Sequence, residues 1–508
     1  MVIRSIELQR RAAILPVFLF LYATFTSIAD AWQSAEVAAS SERAKQMMVA
    51  GKFEEAIPLY QQLVQALPGN SGMVLNLALA QHMAGHEREA IPNFEAVLKA
   101  QPNLVPALLS LGAARLTLSQ PEQAIAPLQK AVAAEPSNLD ARGMLATALS
   151  GAGRLEQAAE QYRKLAETSP DDSRAWYGLG TTYEAVARDA FERLRKLNPQ
   201  SPFVAALVAD TRVQRRQYRA AFQMYQDTLK ELPRLHGIHG AMAEAYRKTG
   251  HSDWAALEDA KERALPPAEC AAHPAECQFV AGHDLEALNP RQAKAPSPED
   301  LYWRAKAANE LALQAFFRLG QLPPSVELHQ LQAELARNQN QHMVSVKEWR
   351  AALEMAPGNP RLEQELAVSL FLAKDYKAAM DAANRLLKIN PQSAELNFLL
   401  GDSLLRLEEP EKSVPYLKAA LSADAKMQAV HASLGLALAR LGKYAEAIRH
   451  LEVSLETDDD GSLHYQLARA YQSTGAVEKA RTAMNQYQEI LKRTQALQGE
   501  AQIGPPQP

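Results

Sequence analysis

The chain has 508 residues, with 54 Lys and Arg against 58 Asp and Glu, a formal net charge of -4, and only 6% of its residues aromatic. That length exceeds what one compact core serves, so several domains or a repeat array are expected. A composition rich in Ala, Leu, Gln and Glu favours helix over strand, and the balanced charge, with no basic stripe to neutralise phosphates, argues against nucleic acid as a partner.

At the start, Arg4, Arg10 and Arg11 precede an apolar run over residues 12–29, after which Ala29 and Ala31 flank Asp30. Basic flank, apolar centre and small-residue exit describe a secretory signal peptide over residues 1–31, cleaved after Ala31. The alternative is an uncleaved anchor in an inner membrane, since the run is just long enough to span a bilayer. Pro16, Thr24, Thr26 and Ser27 count against it. No later stretch is apolar for long enough to cross a membrane. The expected location is therefore an exported one, a bacterial periplasm or the secreted fraction.

Prolines then set a period. Pro68, Pro102, Pro136 and Pro170 are spaced by 34 residues, as are Pro199, Pro233 and Pro267, and again Pro357 and Pro391. Two helical patterns per such period predict a solenoid. In the unit from Ser71, Leu77 and Ala78 fall on a first helix, Gly85 in a turn, and Ala90, Phe94 and Leu98 on a second helix that Pro102 stops. Leu111, Gly112, Ala124, Leu128 and Val132 repeat these positions, then Leu145, Ala146, Gly153, Ala158 and Tyr162. Leu434, Gly435, Gly442, Tyr444, Ala447 and Leu451 repeat them again near the end, followed by Leu467, Ala468, Tyr471, Gly475, Ala480 and Met484. Small residues (Gly112, Gly180, Gly401, Gly435) let paired helices approach. Phe94, Tyr162, Tyr225 and Trp349 fill the groove to the next pair, each worth about 1.5–3 kcal/mol when buried.

These residues resemble the tetratricopeptide repeat family from about Val37 to Lys492. The resemblance implies an all-α fold, a tetratricopeptide-like α-solenoid in which antiparallel helix pairs form a right-handed superhelix of about 12 units in two arrays. The aromatic that the family often carries early in the first helix is mostly missing, with Trp176 supplying it in one unit.

Two units are short. Ala187, Ala190, Phe191, Arg193, Leu194, Leu197 and Pro199 correspond to Ala312, Ala315, Phe316, Arg318, Leu319, Leu322 and Pro324, an internal duplication if the similarity is not chance. The missing turn leaves room for one long helix in each copy. Between them, residues 268–297 are rich in proline and lose the phase, with a short degenerate helix expected from Glu276 to Leu288. This segment is expected to separate an N-terminal array (37–267) from a C-terminal array (298–494), and residues 495–508 read as a disordered tail. It carries both cysteines, Cys270 and Cys277, which in an exported chain are expected to be bonded. The chain-entropy model credits so small a loop with about 2–3 kcal/mol. His273 and His283 lie near, without a recognisable zinc spacing.

No phosphate loop, nucleophile elbow or H-E-x-x-H helix occurs. Gly435 and Gly442-Lys443 are too far apart for a phosphate loop, and the pattern ends on Tyr444. His82 and His86 are separated by the turn at Gly85. Asp458, Asp459 and Asp460 stand where a solvated helix cap is expected. The expected protein is not an enzyme and takes no cofactor, metal or small-molecule substrate. An accessory or cryptic enzyme would need a polar pocket, of the kind Glu184, His239 and Glu244 would form if brought together.

The resemblance further implies a concave groove lined by first helices, which takes peptides or partner helices. Projected here, that face comprises Leu75, Leu79 and His82, then Leu109, Ala113 and Leu116, then Tyr177, Thr181 and Glu184, and then Glu244 and Arg247. The C-terminal array adds Gln330, Glu334 and Arg337, then Gln364, Val368 and Phe371, Phe398 and Asp402, and finally Tyr465 and Arg469. Its early part is apolar, suiting a helix or extended peptide, unless those leucines are ordinary core. A clamp for C-terminal carboxylates is disfavoured, because Ser41, Asn76, Pro106 and Ser110 leave only Lys45 as a basic group. The expected role is a protein- or peptide-binding scaffold, with self-association as the alternative and membrane contact only through residues 12–29.

Overall fold

A computed structural model describes residues 36–288, 296–501 and 505–507; the expected leader over residues 1–31 lies outside them. The described residues form helices and their turns, with no strand among them. Among the described residues no helix is long and apolar enough to cross a membrane. The chain divides into two compact units, at Thr182 and Tyr183.

Each repeat is built by short-range signals. Second helices end two residues before the periodic prolines, at Ala66, Ala100, Ala134 and Thr168. Two residues beyond the proline, a polar side chain caps the next first helix. Asn70 accepts from the backbone of Gly72 (3.0 Å) and Met73 (3.2 Å), and Asn138 from Ala141 (2.9 Å). Asn359 and Ser393 do the same for their helices. Such caps satisfy amides that the first helical turn leaves without partners. The turn inside each pair requires left-handed backbone. Gly85 and Gly442 supply it freely, yet Ser119, Lys374 and Glu408 adopt it too, so the pair geometry overrides local preference.

The missing family aromatic has a polar replacement. Six residues after the inter-unit position, Arg142, Trp176, Asn397 and His431 stand in register, and each meets the carbonyl of Pro136, Pro170, Pro391 or Ala425 at 2.7–3.3 Å. A side-chain N–H at this position satisfies an exposed turn carbonyl whatever the ring or amide that carries it.

The first unit holds four complete pairs, starting with the helices at 36–49 and Phe53–Ala66 and ending with Leu139–Gly151 and Leu155–Thr168. The boundary between units falls inside the helix Ser173–Leu197, which runs unbroken for 25 residues. Its counterpart Pro298–Gly320 is also single and continuous, over 23 residues. Both short units are therefore long helices, each followed by an ordinary pair. In all, eleven pairs and two long helices are described, close to the expected dozen units.

In the second unit one duplicated copy packs on the other. The long helix Pro298–Gly320 packs on Pro202–Gln214 of the first copy, with Phe203 and Tyr302 at 5.1 Å between ring centroids and Lys306 on Asp210 at 3.1 Å. The Glu184 carboxyl on the first long helix is raised above its ordinary value by desolvation and, second, by Glu334 on Val326–Asn338. The cysteine-bearing segment lies within this unit. Gly282, at φ +76°, breaks its expected helix into Pro274–Val280 and Asp284–Ala287. Both pieces pack on Pro298–Gly320, where Phe279 meets Trp303 at 5.1 Å. Cys270 and Cys277 are bonded, with their Cα atoms 5.3 Å apart.

The tail is ordered further than its composition predicts. With no proline between Val477 and Gly504, the last helix continues to Ala501, and beyond it Pro505 is buried. The hydroxyl of Tyr246 donates to the carbonyl of Pro506 at 2.7 Å.

Candidate functional site

First helices of consecutive pairs touch one another as well as their own partners. In the first unit Ser71–Met83 meets Val105–Thr117, which meets Leu139–Gly151; in the second the contacts run from Pro360–Leu372 through Ala394–Arg406 and Gln428–Arg440 to Ser462–Ser473. Over these stretches successive first helices lie side by side.

The residues expected on the inner face divide into three groups. Leu75 and Leu79 are half-buried against the cluster of Ala78, Phe94 and Leu111, and Leu109 and Leu116 against that of Ile125, Leu128 and Leu145. The apolar early groove is therefore the margin of the core. Phe371 and Phe398 likewise pack at the edges of buried clusters.

A second group is held by neighbours. His82 meets Glu87 at 2.6 Å, and Arg247 bonds Glu244 (3.0 Å) and Asp259 (2.9 Å). Arg337 reaches across to Glu365 on the next first helix. Thr181 donates to the carbonyl of Tyr177 (3.0 Å). Asp402 is 3% exposed, accepting from Ser433 at 2.9 Å with Arg406 at 3.6 Å. It ties two adjacent first helices instead of facing a ligand.

The third group stays open. Glu184, Tyr465 and Arg469 are exposed. The Glu184 carboxyl is pushed above its ordinary value first by desolvation, then by Glu334, while Arg188 opposes. Tyr465 lies beside Tyr487, 5.4 Å between rings.

The enzyme-type pocket is not assembled. His239 is held by Glu258 at 2.6 Å, which also takes Lys261, while Glu244 serves Arg247. His82 and His86 turn to different carboxylates, Glu87 and Glu54. Asp458 is buried where a solvated cap was expected. It accepts from the backbone of Leu463 (3.1 Å) and His464 (2.8 Å) and from the His464 ring (2.6 Å), so it seals the start of Ser462–Ser473.

Sequence reading missed one contact site. Tyr246, fully buried, stands among Phe222 (4.5 Å) and Trp254 (5.5 Å), and His251 stacks on Trp254 at 4.2 Å. This aromatic cluster receives the proline-containing end of the chain. The only sequence signals were the Pro-Pro-Gln-Pro ending and the density of aromatics over residues 222–254.

Two tetratricopeptide repeat family models match, one at residues 48–115 and 115–180, the other at 331–394 and 398–462. Among solved structures, a crystal structure of MamA protein is 15% identical, covering 34% of this chain and 94% of that one (TM-score 0.29). TTC0263, a thermophilic TPR protein from Thermus thermophilus, is 18% identical over 35% of this chain and 97% of its own (TM-score 0.30). MamA from Desulfovibrio magneticus RS-1 is 17% identical over 34% and 96% (TM-score 0.30). No curated protein matches the chain. With the matched repeats spanning roughly half the sequence, the chain belongs to the tetratricopeptide repeat family.

Proposed function

We propose that this protein is a non-catalytic scaffold, exported from the cytoplasm, whose helix pairs hold partner proteins through extended or helical segments. Tetratricopeptide repeats are in general protein-interaction scaffolds. The observation that carries the reading for this chain is its own C-terminal segment, seated with Pro505 buried and the Pro506 carbonyl hydrogen-bonded by Tyr246. An array that captures a short proline-containing peptide in cis has the chemistry to capture one in trans, through an aromatic wall and a hydroxyl donor. Export rests on the basic, apolar and small-residue pattern of residues 4–31. Retention by residues 12–29 in an inner membrane is the alternative.

The test places a photo-crosslinking residue at Glu184, Tyr465 or Arg469 on the inner face, and at Lys347 on a second helix, where the side chain is 82% exposed. These positions are preferred to Leu75, Leu79 and Leu109, whose charged variants would disturb the core. A defined partner captured from the inner positions and not from Lys347 supports the scaffold. Capture of the chain's own copies alone would overturn it in favour of a self-associating structural role.

A further inference from the structure

Residues 267–277 read Pro-Ala-Glu-Cys, Ala-Ala-His, then Pro-Ala-Glu-Cys again. The Cys270–Cys277 disulfide closes these copies into a loop that carries His273 and Glu276. His273 points Nδ1 at both oxygens of Glu299, 2.7 and 2.9 Å away. Glu299 is fixed in the first turn of Pro298–Gly320, whose start is locked by the reciprocal bonds of Ser297 and Asp300. Glu276 is 7% exposed, and its Oε1 accepts from the backbone N–H of His236 (3.2 Å) and faces the His236 Nδ1 (2.9 Å). One nitrogen of His273 and one oxygen each of Glu276 and Glu299 lie within 4.8 Å of one another.

These groups open on a cavity of about 350 Å³. Glu231 and Glu269 also line it, and Arg234 is the one guanidinium or ammonium side chain in the lining. Four carboxylates against one fixed positive charge, with two imidazoles between them, make a cavity that favours a cation.

We propose that this cavity binds a first-row divalent transition-metal ion, of which zinc is the working case, through His273, Glu276 and Glu299. His236 orients Glu276 from outside the coordination sphere, and water from the cavity completes it. Zinc bonds nitrogen and carboxylate oxygen at about 2.0–2.2 Å, which spaces tetrahedral ligands by roughly 3.4 Å, so the donors close inward by side-chain rotation. The ion then takes the place of the direct contact between His273 and Glu299. A ring nitrogen in the set selects against calcium and magnesium, which take oxygen ligands. The histidine–carboxylate contact behind Glu276 is the kind of outer support that holds a metal ligand in place. Because Glu276 and Glu299 belong to different segments and His236 to a third, the ion staples the phase-breaking segment onto the repeat core.

The test uses the oxidised full chain, stripped of metal by a chelator and shown to contain no free thiol. Titration with zinc is followed by calorimetry, and with cobalt(II) by visible absorption. One equivalent is expected, with an intense low-symmetry cobalt spectrum and a higher Tm in zinc. His273→Ala and Glu299→Gln alter partly exposed side chains, so far-UV circular dichroism stays unchanged while zinc affinity falls at least about tenfold. His283→Ala, whose ring bonds Gln278 outside the cluster, keeps full affinity. No stoichiometric binding, equal binding in both ligand variants, or a preference for calcium over zinc would each overturn the site.

Discussion

Changing Gly435 to Ala probes the close approach that sets the geometry of a pair. A Cβ at this position would stand 2.8 Å from Cγ and 2.9 Å from Cδ2 of Leu451, and 3.2 Å from the Leu451 backbone nitrogen. The side chain of Leu451 is fully buried and has little room to turn away, and the backbone contact requires the helix Tyr444–Ser454 itself to shift. Overpacking of this kind costs about 1–3 kcal/mol, while alanine returns about 1 kcal/mol of helix preference over glycine. The net loss is then about 0–2 kcal/mol, up to a roughly 30-fold rise in local opening. Repeat arrays need not unfold in one step, so native-state hydrogen exchange over residues 428–454 reads it better than a global melt. Gly143→Ala is the reference, because its nearest neighbour, Leu165 Cδ2, is 3.7 Å away in ordinary contact. That variant should gain about 0.5–1 kcal/mol. Removing the obstructing atoms with Leu451→Ala should couple to Gly435→Ala by about 1 kcal/mol or more. Exchange protection in Gly435→Ala equal to or above that of the parent would refute the packing argument.

Tyr246→Phe removes the donor to the Pro506 carbonyl and keeps the aromatic wall. A hydrogen bond worth about 1 kcal/mol should release the tail roughly fivefold more often, read as faster carboxypeptidase trimming with helicity unchanged. His450 is held below the ordinary histidine value, first by desolvation and then by His431, whose ring nitrogen lies 2.9 Å away. With the folded pKa depressed, the unfolded chain binds more protons in this range, so stability is fullest above the ordinary histidine pKa and is lost as pH falls through it. Exchange protection over residues 444–454 should therefore drop between about pH 7.5 and 5.5, and His450→Gln should flatten that dependence. Replacing Cys270 and Cys277 together by Ser should cost the segment about 2–3 kcal/mol on the chain-entropy model, seen as faster proteolysis between residues 267 and 288 while the terminal pairs keep their protection.

The repeat was legible in the sequence because its signals act over a few residues. Proline ends a second helix, Asn or Ser two residues on caps the next first helix, and apolar spacing sets the buried stripe. The same local logic marked the two short units, whose missing turn residues left a hairpin or one long helix open, and the structure decided for the helix. Position along a face said less. Leu75, Leu109 and Asp402 project onto the inner face, yet packing against neighbouring helices turns the leucines into core margin and Asp402 into a buried tie. What lies far apart in the chain was decided by tertiary structure alone. Pro298–Gly320 folds back on Pro202–Gln214, Pro506 returns to Tyr246, and His236, Glu276 and Glu299 converge from three segments. Each of these contacts joins groups with no fixed spacing along the chain. Local propensity specifies the helices, while burial of their apolar faces determines which of them meet.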